Sequence, residues 1–153
     1  MANERKSGSG SRRVRDIMTA DPACVRESDG IVEAARIMKS EDAGVVPIVD
    51  GDRKLLGIIT DRDIVVRLVA EGRNPLDCKV NEAMTKHIRS VSEDATVDEV
   101  MSIMRSANVR RVPVCDRNDR IVGIISMGDL AETGEKGKVG DMVQDISEAR
   151  PNN

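Results

Sequence analysis

The sequence predicts a mixed α/β (α+β) fold made of two β-α-β-β-α repeats related by a pseudo-two-fold axis. Three observations carry that expectation. The stretch Val14–Ile64 aligns without a gap onto Val80–Leu130. About 16 of the roughly 51 aligned positions are identical, against roughly 1 in 17 expected from typical composition. Each half also alternates helix-period and strand-period apolar patterns in the same order. Two copies are too few for a solenoid, so a closed pair is expected.

The elements follow in register. "VRDIMT" and "VNEAMT" read as short leading turns, each followed by a brief extended stretch around 23–26 and 89–92. In the second repeat Thr96 and Glu99 form a T-x-x-E capping box ahead of Val97, Val100, Met101 and Met104, a stripe at i, i+3, i+4, i+7. The first repeat sets Ile31, Ala34, Ala35 and Met38 on the same stripe behind Asp29 or Gly30. "VVPIVD" and "RVPVCD" are strands whose central prolines must face a sheet edge or end, because proline has no N–H for a ladder. "GDRK" and "RNDR" are hairpin turns, and "LLGIIT" and "IVGIIS" are buried β-branched strands. A second helix starts at each hydroxyl residue; in the first repeat it is "DRDIVVRLVAEG", closed by Gly72. The organisation is therefore a flexible basic tail over 1–13, repeats over 14–72 and 80–132, and a linker over 73–79. A polar tail over 133–153 follows, with room for a short helix in "VGDMVQDIS".

Composition excludes several function classes. The formal net charge is −3, which argues against a nucleic-acid binder despite the basic "ERKSGSGSRRVR" near the start. No apolar run approaches the roughly 18 residues of a membrane span, and none resembles a signal-peptide core. Cys24, Cys78 and Cys115 are an odd number without C-x-x-C spacing. A reduced, cytoplasmic protein with no metal site is the expectation. The chain has no Phe, Tyr or Trp, so its core is packed with aliphatic residues and eight Met, and no ring except His87 can stack on a base.

The chemistry concentrates where a strand becomes a helix. "GIITDRDI" and "GIISMGDL" both read G-h-h-[ST]-x-x-D, giving Thr60 with Asp63 and Ser126 with Asp129. Free N–H groups at a helix start favour an anion, and a hydroxyl adds a donor. An ionised carboxylate one turn on accepts hydrogen bonds only, and its two oxygens suit the vicinal hydroxyls of a ribose. The same four residues also spell an ordinary capping box that satisfies the helix and does nothing more.

The repeat, with h-P-h-h-D followed by G-h-h-[ST]-x-x-D in both copies, resembles the CBS domain, which occurs in tandem pairs called Bateman modules. The stretches "IITDRDIVVRLVAEGRNP" and "NVRRVPV" look most like small stand-alone bacterial members. The resemblance implies a regulatory module for an adenosyl ligand (AMP, ADP, ATP or a relative) with the aspartate on the ribose, acting as a cytosolic energy or metabolite sensor. It implies phosphate contacts from Arg110 and Arg111, whose counterparts are Gly44 and Val45. On that basis the cleft holding Asp63 is expected to be the better polyanion site. Arg62, replaced by Gly128 in the second copy, is a further phosphate candidate. For the base, an aliphatic slot is expected from Cys24, Val25, Val46, Pro47, Val112 and Pro113.

No nucleophile beside a base, no H-E-x-x-H, no G-x-S-x-G and no Walker lysine motif is present, so no catalysis and no required cofactor are expected. The resemblance implies a homodimer, a flat disc of four repeats, signalling to an effector protein that the sequence does not identify. The competing reading is a protein-interaction scaffold with vestigial ligand sites.

Overall fold

The computed structural model describes residues 12–132; residues 1–11 of the basic tail and all of the polar tail over 133–153 lie outside this range, while Arg13, expected in the flexible tail, bridges Thr96. In chain order the elements are β1 (Thr19–Ala20), α1 (Ile31–Glu41), β2 (Val45–Val49), β3 (Leu55–Thr60), α2 (Asp61–Ile64), β4 (Val91–Ser92), α3 (Val97–Ala107), β5 (Arg111–Cys115), β6 (Ile121–Ser126) and α4 (Met127–Glu132). After α2 the helix continues as a π-type turn over Val65–Val69 and ends at Gly72, whose φ of 76° only glycine adopts readily.

The backbone repeats as faithfully as the sequence. Left-handed conformations at non-glycine residues fall at Asp21, Asp42 and Arg53, and again at the aligned His87, Asn108 and Asp119. Asp42 and Asn108 terminate α1 and α3. Short polar side chains tolerate this region best. The middle pair turns each helix end toward its hairpin; the last pair turns the hairpins themselves.

Packing follows a different partition. Among the described residues, one compact unit holds Asp21–Ile88 with Arg117–Ile121; the other holds residues 12–20, Arg89–Asp116 and residues 122–132. The leading "MT" segment of each repeat thus packs with the body of the other. β1 pairs with β6, Thr19 opposite Ile124, while Thr85 bridges Ile58 at the aligned position. Glycine makes this possible. A Cβ on Gly57 would lie 2.5 Å from the Thr85 carbonyl oxygen and 2.8 Å from Met84 Cε. On Gly123 it would lie 2.9 Å from Met18 Cγ and 3.0 Å from the Thr19 carbonyl oxygen. The identities Met18/Met84, Thr19/Thr85 and Gly57/Gly123 are therefore one contact, made twice.

In each unit the sheet order is the same: the order β1-β6-β5-β4 in one is matched by Thr85, β3, β2 and Val25 in the other. Val91 pairs in parallel with Val114, as Val25 does with Ile48. The Pro47 carbonyl accepts from Val25 N (3.0 Å), so the proline nitrogen faces the flank where pairing is a single bridge. That meets the requirement set by its missing donor.

The helices bury their stripes to different depths. Val97, Val100, Met101 and Met104 of α3 are all buried. Thr96 and Glu99 close the capping box, with N···O distances of 2.9 and 3.2 Å. In α1 only Ile31 and Ala34 are buried, Met38 is half-buried, and Ala35, expected on the stripe, is exposed. Gly30 is its N-cap and offers no side chain; Asp29 Oδ2 accepts from Arg26 N (2.8 Å) instead. The Cys78 carbonyl takes the first helical N–H, from Ile31 (3.0 Å). Each unit has its own aliphatic core, one around Ile31, Ile48, Ile59 and Leu68, the other around Met104, Val112, Ile125 and Leu130.

Candidate functional site

β3 ends at Thr60, still extended at φ −116°, and the chain turns directly into α2. Both halves of the capping box form: Thr60 Oγ1 accepts from Asp63 N (3.0 Å), and Asp63 Oδ2 accepts from Thr60 N (3.0 Å). The Asp63 carboxylate then receives two further groups. The Thr85 hydroxyl lies 3.2 and 3.3 Å from its two oxygens, close enough to donate its one proton to either. Arg67 Nε stands 3.6 Å from Oδ1, and its Nη1 donates to the Met84 carbonyl (3.0 Å). The Asp63 side chain is 12% exposed.

Ser126 and Asp129 repeat the cap. Asp129 Oδ2 accepts from Ser126 N (2.8 Å), and Ser126 Oγ accepts from Asp129 N (3.1 Å). Among the described residues nothing further reaches this carboxylate. Thr19, aligned with Thr85, is exposed and makes no hydrogen bond to it. Residue 128 is glycine where Arg62 stands in the first copy, and Thr133, outside the described residues, aligns with Arg67.

The surroundings differ in charge. In the first unit Asp61 N donates to the Gly44 carbonyl (3.0 Å), and the Asp61 carboxylate sits where a Gly44 side chain would be, 3.1 Å from that ideal Cβ. In the second, Met127 N donates to the Arg110 carbonyl (3.0 Å). Arg110 and Arg111 are exposed there, beside the Ser126–Asp129 corner of their own unit. Arg62 is exposed too; its N–H, not its guanidinium, bonds Asp61 Oδ1 (2.8 Å).

The six side chains expected at a base slot differ in exposure. Val46 and Val112 are 0% exposed and Val25 3%, all within the hydrophobic cores. Pro47 and Pro113 are buried beside them. Alternation along β2 and β5 does not spare these residues, because the strands are covered on both faces. Cys24 is half-buried, and with Val25 it lines a cavity of about 310 Å³ shared with Arg26, Asp29, Asp50 and Arg53. Burial pushes its thiol pKa up, against a smaller opposing pull from Arg53, and the sulfur donates to the Pro22 carbonyl (3.2 Å). Burial thus favours its protonated form. Cys78 and Cys115 are buried, the Cys78 thiol donates to the Asn74 carbonyl (3.3 Å), and His87 is exposed.

Sequence reasoning missed Thr85 and Arg67. The signal for Thr85 was its identity with Thr19, read as a turn and not as a group aimed at a distant carboxylate. Arg67 lies one turn after Asp63, at the i+4 spacing that brings opposite charges together on a helix.

The family model of the CBS domain matches residues 14–70 and again 80–135. The chain belongs to the CBS domain family. This CBS pair is 42% identical to the uncharacterized protein YlbB of Bacillus subtilis (strain 168) over 89% of its own length and 92% of the relative's. It is 38% identical to hypoxic response protein 1 of Mycobacterium tuberculosis over 76% and 81% of the two chains. The likeness to small bacterial CBS-pair proteins therefore holds. Its fold superimposes on the crystal structure of hypoxic response protein I with two coordinated zinc ions at a TM-score of 0.73, with 37% identity over 79% of this chain and 98% of that one. The CBS domain pair of protein MJ0100, in complex with 5'-methylthioadenosine and S-adenosyl-L-methionine, superimposes at 0.73, with 32% identity over 82% and 98%. Among the described residues, no helix is long and apolar enough to cross a membrane.

Proposed function

We propose that this CBS pair is a cytoplasmic regulatory module that binds an adenosyl ligand and catalyses no reaction. The carrying observation is a pair of strand-to-helix corners, each with a carboxylate one turn beyond a hydroxyl, in a chain 32% identical to a CBS pair that holds two adenosyl compounds. The carboxylates of Asp63 and Asp129 are the two candidate ribose acceptors. Thr60 and Ser126 lie beside the anion-favouring helix starts, with Arg62, Arg110 and Arg111 available to a phosphate chain. AMP, ADP and ATP fit such a site, which supports an energy-sensing role. With no aromatic ring to stack on the base, affinity in the micromolar range is expected, roughly −7 to −8 kcal/mol. Zinc is not part of the proposal: among the described residues no three His, Cys, Asp or Glu side chains gather to hold a metal.

A homodimer is part of the same proposal. Val65, Val66 and Val69 stand 45 to 55% exposed on one face of the helix after Thr60, an apolar surface suited to a second copy. Light scattering at one chain's mass instead of two would refute that assembly.

The scaffold reading draws support from one observation, the engagement of Asp63 by Thr85 and Arg67. Thermal melting separates the two. A true ligand at about 100 times its Kd adds roughly 2.7 kcal/mol and raises the melting point by several degrees. No shift with S-adenosylmethionine, 5'-methylthioadenosine, AMP, ADP or ATP leaves the scaffold.

A further inference from the structure

The two corners share a cap, but one carboxylate already holds what a ribose would bring. A vicinal diol binds a carboxylate by donating hydroxyl protons to its oxygens. At Asp63 a hydroxyl is already there, from Thr85, at 3.2 and 3.3 Å. It is delivered by rigid backbone: Thr85 N donates to the Ile58 carbonyl (2.8 Å) and Ile58 N to the Thr85 carbonyl (3.0 Å). A cation stands beside it, since Arg67 Nε lies 3.6 Å from Oδ1 while its other end is tied to the Met84 carbonyl. The π-type turn that carries Arg67 is itself closed by Ala70 N on the Val65 carbonyl (2.8 Å).

A diol arriving at Asp63 therefore exchanges one protein hydroxyl for a ligand hydroxyl and gains little. The same diol at Asp129 meets a carboxylate that, among the described residues, carries its cap bond and no side-chain donor. We propose that Thr85 and Arg67 form an internal latch that occupies the diol position of Asp63, so that the chain loads one adenosyl ligand, at the Asp129 corner. This rests on the ligand-binding reading above and reverses the sequence expectation that favoured Asp63. Arg67 and Thr85 act as gate residues for the second site.

Native mass spectrometry and calorimetric titration of the full chain with 5'-methylthioadenosine, and separately with AMP, test the latch. The expected result is one ligand per chain, lost in Asp129→Asn and kept in Asp63→Asn. Arg67→Ala combined with Thr85→Val brings a second ligand, at least about tenfold tighter at that corner than in the unaltered chain, and adding Asp63→Asn removes it. Thr85→Ser keeps the hydroxyl and stays at one; Arg67→Ala alone, at a half-exposed residue, guards against loss of folding in the double variant and shows a smaller gain of the same sign. Two equal sites in the unaltered chain, or one that maps to Asp63, overturn the latch and leave the ligand reading standing. No binding of either probe by the unaltered or the latch-free protein overturns the ligand reading, and the latch with it.

Discussion

Asp63 and Asp129 occupy aligned positions, close the same capping box and end aligned strands, yet they do not present the same chemistry. The Asp63 carboxylate is enclosed by the Thr85 hydroxyl and the Arg67 guanidinium, with the Asp61 carboxylate lodged against Gly44 nearby. The Asp129 carboxylate, among the described residues, keeps its cap and a neighbourhood of exposed arginine. A duplicated motif thus fixes a local backbone shape, while the groups around it decide whether the shape is a site. A cap uses one carboxylate oxygen; a ligand needs what remains.

The comparison breaks most visibly at the glycines that let the threonine segments dock. In Gly57→Ala the new methyl meets a backbone carbonyl, which cannot move aside cheaply, so a loss of about 2–3 kcal/mol is expected, roughly 5–10 °C in melting temperature. In Gly123→Ala the nearest group is the flexible Met18 side chain, and about 1–2 kcal/mol is expected. Equal losses would mean that the two dockings are energetically the same.

Next come the carboxylates. Asp63→Ala strands the Thr85 hydroxyl and removes the partner of Arg67 in addition to the cap, for a cost of about 2–3 kcal/mol. Asp129→Ala removes the cap and costs about 1 kcal/mol. Urea denaturation of the two variants measures the difference. An Asp129→Ala loss as large as that of Asp63→Ala would show that the second corner is as fully engaged as the first.

The smallest effect is a titration in the first hairpin. Backbone N–H groups of Lys54 and Asp52 hold the Asp50 carboxyl pKa below the usual carboxylate range. A depressed folded-state pKa favours the folded form once the carboxyl is ionised in the unfolded chain. That contribution is present above the ordinary carboxylate pKa and is lost as pH falls through the lowered value. An NMR titration of the Asp50 carboxyl with its midpoint at or above the unfolded value would contradict the turn geometry.

Much of the architecture was legible in the chain because it rests on short-range rules. Thr96 and Glu99 announce a helix start from a spacing of three residues, and Val97, Val100, Met101 and Met104 announce its buried face. Asp63 and Asp129 are marked by spacing too, and marked ambiguously, since one pattern serves both a cap and a ribose holder. The aliphatic slot is ambiguous for a different reason. Apolar residues in a strand are marked for burial, and spacing does not say whether a core or a ligand buries them; for Val46 and Val112 it is the core.

The sequence by itself determined the duplication, the order of elements, the hairpin turns and the two caps. These are set by hydrogen bonds and sterics within a few residues, which a linear pattern records. Tertiary structure decided that each "MT" segment docks on the other repeat's strand glycine, that Thr85 reaches Asp63, and that Thr19 leaves Asp129 alone. Those outcomes depend on contacts between segments far apart in the chain. Of the identical residues Thr19 and Thr85, only Thr85 brings its hydroxyl to the carboxylate of the corner it docks beside, because surroundings, not spacing, set where a side chain ends.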